Sequence, residues 1–177
     1  MTDRIELAVD FVNSWDEFPT PHDRLDAGWL GRWLVHHGLP EAAAGVEEAD
    51  VPRARAFRSR IESVFDAGSE GEAVAILNAL AAELGTPPRL ERAGDGWEIR
   101  SWPVHPPGLD TGVGLAAVGL LEAIRDLGFE RFGRCAGTPC RCVYVDRSRN
   151  RRRRFCCELC ADRVAQASYR RRRSAAG

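Results

Sequence analysis

The chain has 177 residues, is 44% hydrophobic and carries a formal net charge of -1. That is enough apolar material for a core, in one domain or in a domain with a small appendage. The longest apolar run, residues 115–121, is far short of the roughly 20 residues of a membrane span. The first residues lack both the basic and the apolar region of a secretory leader. The composition therefore excludes a membrane partner and leads to the expectation of a cytoplasmic protein.

Ile5, Ala8, Val9 and Val12 recur at helical spacing, which predicts a first helix over residues 4–15. Trp29, Leu30, Trp33 and Leu34 mark a second, with Asp26 as its N-cap, and Pro19 and Pro21 break the chain between the two. A third helical face, Phe57, Ile61, Val64 and Phe65, follows Pro52. Ser69 with Glu72 three residues on forms a capping box that opens a fourth helix, carrying Ala73, Leu77, Leu80 and Leu84. Pro87 and Pro88 stop helical structure. Residues 90–102 read as a hairpin turning at Gly94, Asp95 and Gly96. Val113, Ala117, Leu120, Leu121 and Ile124 form the apolar side of a fifth helix that ends at Gly128. The five Trp are expected to anchor the core of this N-terminal part.

The last quarter of the chain is different. It holds all six cysteines, and the first 134 residues hold none. Cys135 and Cys140 stand with four residues between them, Cys156 and Cys160 with three, and fifteen residues separate the pairs. Two close thiol pairs joined by a loop can converge four sulfurs on one zinc ion. Cys157 with Cys160 is a rival second pair by spacing, whereas Cys142 is too near Cys140 to share an ion with it easily. Four thiolates leave no open position, so the site is expected to be structural, with one Zn2+ per chain. Three disulfides are the alternative in a secreted protein, but without a leader metal binding is favoured. Residues 143–145 favour a strand, residues 146–150 a polar hairpin tip and residues 153–155 a returning strand. Residues 158–173 contain no Gly or Pro and read as a helix with Cys160 in its first turn. Knuckle, hairpin and helix in this order suggest a treble-clef-like finger.

Charge divides at the same place. Residues 1–130 carry 11 Arg against 23 Asp and Glu, a net of -12, and residues 131–177 carry 14 Arg against three acids, a net of +11. Arg151, Arg152, Arg153 and Arg154 form one run, and Arg170, Arg171, Arg172 and Arg173 form another. Arg147, Arg149 and Arg163 add to them. Guanidinium groups bind phosphate bidentately, and backbone neutralisation dominates nucleic-acid affinity. All eleven are therefore candidate nucleic-acid contacts. Part of the second run has a structural use as well, since cations at a helix C-terminus favour its dipole.

The segments Cys135-Ala-Gly-Thr-Pro-Cys140, Val143-Tyr-Val-Asp-Arg-Ser-Arg-Asn150, Arg153-Arg-Phe-Cys156 and Cys160-Ala-Asp-Arg163 resemble the CGNR zinc-finger family. Leu7-Ala-Val-Asp-Phe-Val-Asn-Ser14 resembles the opening of the ABATE domain that precedes this finger in the family. The resemblance implies Cys135, Cys140, Cys156 and Cys160 as the ligands and Arg163 as the family's terminal Arg. The sequence departs from the family tetrapeptide at Ala161 and Asp162; an Asp carboxylate accepts hydrogen bonds but cannot donate them as the Asn amide does. The resemblance also implies a transcription regulator, with RNA binding as another suggested role.

The expectation is thus an α+β protein. A mostly helical ABATE-like domain with a hairpin occupies residues 1–130, and a small treble-clef-like finger with a basic helix occupies residues 131–177. Nucleic acid is the expected partner. DNA is favoured over RNA because the finger offers only Tyr144, Phe155 and Tyr169 as stacking aromatics. The N-terminal domain is a candidate for binding a small-molecule ligand. The alternative is a protein-interaction module whose arginines pair with acidic groups, including those of the chain's own body. No Ser/His/Asp arrangement, phosphate-binding Gly loop or paired catalytic carboxylates stand out, so enzyme activity is not expected. His36 and His37 have no partner at metal-ligand spacing, and all four histidines are read as structural or exposed.

Overall fold

The computed structural model describes residues 3–17, 20–85, 88–93, 96–101 and 108–174. The first helix, α1 (Arg4–Val12), is capped by Asp3, whose carboxylate accepts from the Ile5 and Glu6 amides. It ends three residues before the predicted boundary, because Asn13 and Ser14 spend their polar groups on other elements. Two short strands follow, β1 (Trp15–Asp16) and β2 (His22–Asp23), paired antiparallel. The helix α2 (Ala27–His36) starts at Asp26, whose Oδ1 accepts from the Trp29 amide at 2.6 Å, as expected of an N-cap. A five-residue helix that the sequence pattern did not indicate, α3 (Pro40–Ala44), has Pro in its first turn, where no amide hydrogen is needed.

The helices α4 (Val51–Val64) and α5 (Glu70–Glu83) match the third and fourth predicted faces. Ser69 Oγ accepts from the Glu72 amide at 3.2 Å, but the Glu72 carboxylate turns to the Gly68 amide rather than closing the reciprocal box. The hairpin is present as β3 (Pro88–Ala93) and β4 (Gly96–Ser101), with Leu90 opposite Ile99. The longest helix, α6 (Leu109–Leu127), buries one apolar face and ends at Gly128, which has φ of 93°. A Cβ at Gly119 would lie 2.4 Å from the Arg4 Cβ, so only Gly lets α1 and α6 approach this closely.

The core lies between these helices. Leu7, Phe11, Leu30, Leu34, Ile61, Leu77, Leu80, Leu115 and Leu120 are fully enclosed. Trp33 stacks on Phe11 and donates its indole N–H to the Leu7 carbonyl at 3.1 Å, joining α2 to α1. Of the other Trp, Trp29 packs at the edge of the core, whereas Trp15 is 39% exposed and does not anchor it. Trp97 and Trp102 lie outside the residues whose side chains are described.

The C-terminal part adds β5 (Phe132–Arg134), β6 (Val143–Val145) and α7 (Glu158–Ser174). Here the sequence expectation needs correcting. The partner of β6 is β5, on the near side of the cysteine knuckle, and residues 153–155 form no returning strand. Those residues are held by a buried carboxylate instead, described below. The class remains α+β: mostly helical, with a two-stranded antiparallel sheet beside a cluster of four cysteines. Val143 and Val145 are buried within the same core as the helices, and Phe132 packs against Phe65 with ring centroids 5.3 Å apart. No helix among the described residues is long and apolar enough to cross a membrane.

Candidate metal centre and basic surface

The knuckle loop between β5 and β6 delivers Cys135 and Cys140. Its base is closed by Cys135, whose amide donates to the Cys142 carbonyl at 2.8 Å. The first turn of α7 delivers Cys160, and the segment before it delivers Cys156. The four sulfurs all lie within 4.8 Å of one another. Cys140 and Cys156 are 3.7 Å apart at sulfur, and so are Cys156 and Cys160. Four sulfurs at about 2.3 Å from a central zinc have tetrahedral edges of about 3.8 Å. The observed spacing therefore fits one closed metal site, and it is nearly twice a disulfide bond. Cys157 touches Cys156, with 3.8 Å between sulfurs, but is exposed and outside the cluster of four. Cys142 is also outside it.

Without a cation these thiols disfavour full ionisation. Burial pushes the Cys160 thiol up to about 12, and burial with hydrogen bonds from Cys160 and Cys140 pushes Cys156 higher still. Cys135 is shifted the other way: burial opposes ionisation, but hydrogen bonds involving Cys156 and Gly137 outweigh it. A divalent ion removes the conflict by coordinating deprotonated sulfur, so metal uptake here must release protons. Arg163 donates from Nη2 to Cys160 Sγ at 3.5 Å, and its half-buried position sets a positive charge against a site that would carry four thiolates.

The other arginines divide into two groups. Some face the acidic body. Arg147 pairs with Asp3 at 2.6 Å, Arg151 with Glu130 at 3.1 Å, Arg134 with Glu62 at 3.1 Å and with Asp66, and Arg141 with Glu17 at 3.9 Å. Arg153 lies over the Tyr144 ring, 5.0 Å from its centroid, and donates to the Phe155 carbonyl; Arg154 lies over Phe155. The second group points outward. Arg149, Arg152, Arg170, Arg171, Arg172 and Arg173 are exposed, and among the described residues none of them forms an ion pair. Cys160 is the one buried residue of α7, so the helix presents its basic end to solvent.

Two residues that organise this surface, both inside the segments that resemble the family, are not among the site residues predicted from the sequence. Asp146 is 5% exposed; its carboxylate accepts from the Ser148 amide at 2.8 Å and the Arg153 amide at 2.9 Å. Burial works against its charge, but these hydrogen bonds hold the carboxyl below its ordinary range. Arg131 closes the same loop by donating to the Asp146 and Ser148 carbonyls at 2.8 and 2.7 Å. The second residue is Asn13, at the end of α1. Its amide donates to the Val143 carbonyl at 3.0 Å and accepts from the Val143 amide at 2.8 Å, covering the free edge of β6 as a third strand would. Beside it, fully buried Ser14 accepts from Arg58, which forms a two-pronged pair with Asp23.

A helical body carrying a four-thiol centre that suits a single structural zinc defines a zinc-finger protein. The chain belongs to the ABATE family, described as "Putative stress-induced transcription regulator", whose model matches residues 6–126. A CGNR zinc-finger model matches residues 131–173. Neither family is described as an enzyme. No curated protein matches the chain.

Proposed function

We propose that the chain is a nucleic-acid-binding transcription regulator, with duplex DNA as its preferred target. A structural zinc held by Cys135, Cys140, Cys156 and Cys160 fixes the finger. The observation that carries this reading is the outward basic surface: the end of α7 and the exposed tips of the 147–154 loop stand beside a closed metal centre. A helix of 17 residues extends about 25 Å, long enough to follow a groove or a phosphate backbone. Arg149, Arg152 and Arg170 to Arg173 supply the first phosphate contacts. Arg153 and Arg154 lie next to them at the surface. Arg147 and Arg151 contribute after exchanging a carboxylate for a phosphate. Arg163 acts through the metal centre.

Single-stranded RNA is disfavoured by the aromatic inventory. The Tyr144 ring is buried under Arg153, its hydroxyl donates to the Arg153 carbonyl, and Phe155 lies under Arg154. Tyr169 alone of the three is well exposed. The pairing of Arg134, Arg141, Arg147 and Arg151 with the acidic body favours a second reading, an interaction module for an acidic protein partner.

Salt dependence separates the two. Duplex binding should weaken with log salt at a slope of about -0.9 per phosphate neutralised. Replacing Arg170, Arg171, Arg172 and Arg173 by Gln should make the slope shallower by up to about 3.6. Absence of measurable binding to duplex or single strands at low salt would transfer the assignment to the interaction module.

A further inference from the structure

We infer that the end of α2 and the outer face of α1 form a second metal site, of His, His and Asp composition, for a labile first-row transition ion of the zinc class. His36 and His37 close α2, and Asp10 stands on α1. One ligand atom from each lies within 4.8 Å of the other two. His37 Nε2 and Asp10 Oδ2 are 3.0 Å apart. Two ligands about 2.1 Å from one ion and 90–110° apart are themselves about 3.0–3.4 Å apart. The pair is therefore already spaced for a shared ion. The His36 ring stands edge-on to that of His37, with centroids 5.0 Å apart.

The scaffold is rigid where it needs to be. His37 is 8% exposed and packs edge-on against Trp33, and the Trp33 indole donates to Leu7 of α1, one turn before Asp10. That bond sets the distance between the two helices at the site. His36 is exposed and the Asp10 side chain is 48% exposed, so an ion can enter and keep water in its remaining positions. Two imidazoles and a carboxylate suit zinc, copper, nickel or iron(II) rather than calcium or magnesium. Three ligands with open positions hold an ion far less tightly than four thiolates, so this site exchanges metal while the finger keeps its own. A plain tether between helices would need only His37 and Asp10. The placement of His36 as a third donor is what a tether leaves unused.

The test is calorimetric titration of zinc into the full-length chain already loaded with one equivalent. A second equivalent is expected in the micromolar range. His36→Gln should weaken it at least tenfold without changing the thermal midpoint, because His36 is exposed and outside the His37–Asp10 pair. Asp10→Asn, which keeps a hydrogen-bonding group at the position, should weaken it similarly. Binding should persist in Cys157→Ser and Cys142→Ser, which removes the spare thiols as an alternative site. Cobalt bound as the second equivalent should show d–d absorption without further thiolate charge transfer. No second equivalent up to about 1 mM zinc, or one indifferent to His36→Gln, overturns the assignment.

Discussion

Replacing Asn13 by Ala tests how the finger is held on the helical body. The Asn13 amide makes two hydrogen bonds to the backbone of Val143, at 2.8 and 3.0 Å, and Val143 is fully buried. Truncation leaves one N–H and one carbonyl without partners. Each buried orphan costs about 1–3 kcal/mol, and partial water entry from the half-exposed Asn13 side lowers the sum, so about 2–4 kcal/mol is expected. For a chain of this size that is a fall of about 5–15 °C in the thermal midpoint. Asn13→Asp should do no better, since a carboxylate cannot donate to the Val143 carbonyl. The assay is urea and thermal unfolding of the zinc-loaded protein with zinc content measured in parallel. Metal should be retained, because all four sulfurs come from residues 135–160. A stability change below about 0.5 kcal/mol, a size usual for surface substitutions, would refute the role given to the amide.

Four other outcomes follow from the same geometry. Cys156→Ser should lose zinc and unfold α7, whereas Cys157→Ser and Cys142→Ser should keep both; full zinc in Cys156→Ser by metal analysis would reassign the ligand. Gly119→Ala places a methyl group against the Arg4 backbone and should cost about 1–3 kcal/mol by chemical denaturation, more than its gain in helix propensity. Arg58→Met leaves Asp23 charged and half-paired beside Ser14 and should cost about 3–5 kcal/mol in the same assay. Burial raises the Asp23 pKa, but its bonds to Arg58 and Arg55 prevail and hold it well below the usual carboxylate value. Its contribution is therefore complete above about pH 4 and is lost as pH falls further through the folded-state value, and an acid titration should show Arg58→Met losing less stability over that range than wild type.

What the sequence disclosed depended on how local each interaction was. The six long helices were readable because α1, α2, α4, α5 and α6 repeat apolar residues on one face, because Asp26 and Ser69 cap within three residues of themselves, and because residues 158–173 contain no Gly or Pro. The four-thiol centre was readable because two knuckles leave a spacing in the chain. The pairing of β6 was misread: Val143 to Val145 favour a strand, but nothing local distinguishes a partner at residues 132–134 from one at 153–155. The decision is made by Asp146, which takes the Ser148 and Arg153 amides and winds the 147–153 segment into a loop. Asn13 and Asp10 illustrate the same limit, since their partners lie 130 and 27 residues away.

The arginines show why charge counting sees only part of such a surface. A net of +11 over residues 131–177 looks like one polyanion site, yet its members have different fates. Arg134 and Arg147 are spent on Glu62, Asp66 and Asp3, so they fasten the basic finger to an acidic body. Arg163 faces Cys160. Arg141 and Arg151 pair with Glu17 and Glu130, and Arg153 and Arg154 lie over aromatic rings. Among the described residues of this segment, the exposed arginines with no ion pair or ring contact lie at the end of α7 and at two loop positions, Arg149 and Arg152. A phosphate contact from that outward group loses little, because these side chains hold no carboxylate to give up; Arg171 has only a 3.4 Å hydrogen bond to the Ser168 hydroxyl. One from Arg147 must first break its pair with Asp3. The net affinity for a polyanion is therefore set by the outward arginines, and the paired ones set how firmly the surface that carries them is held.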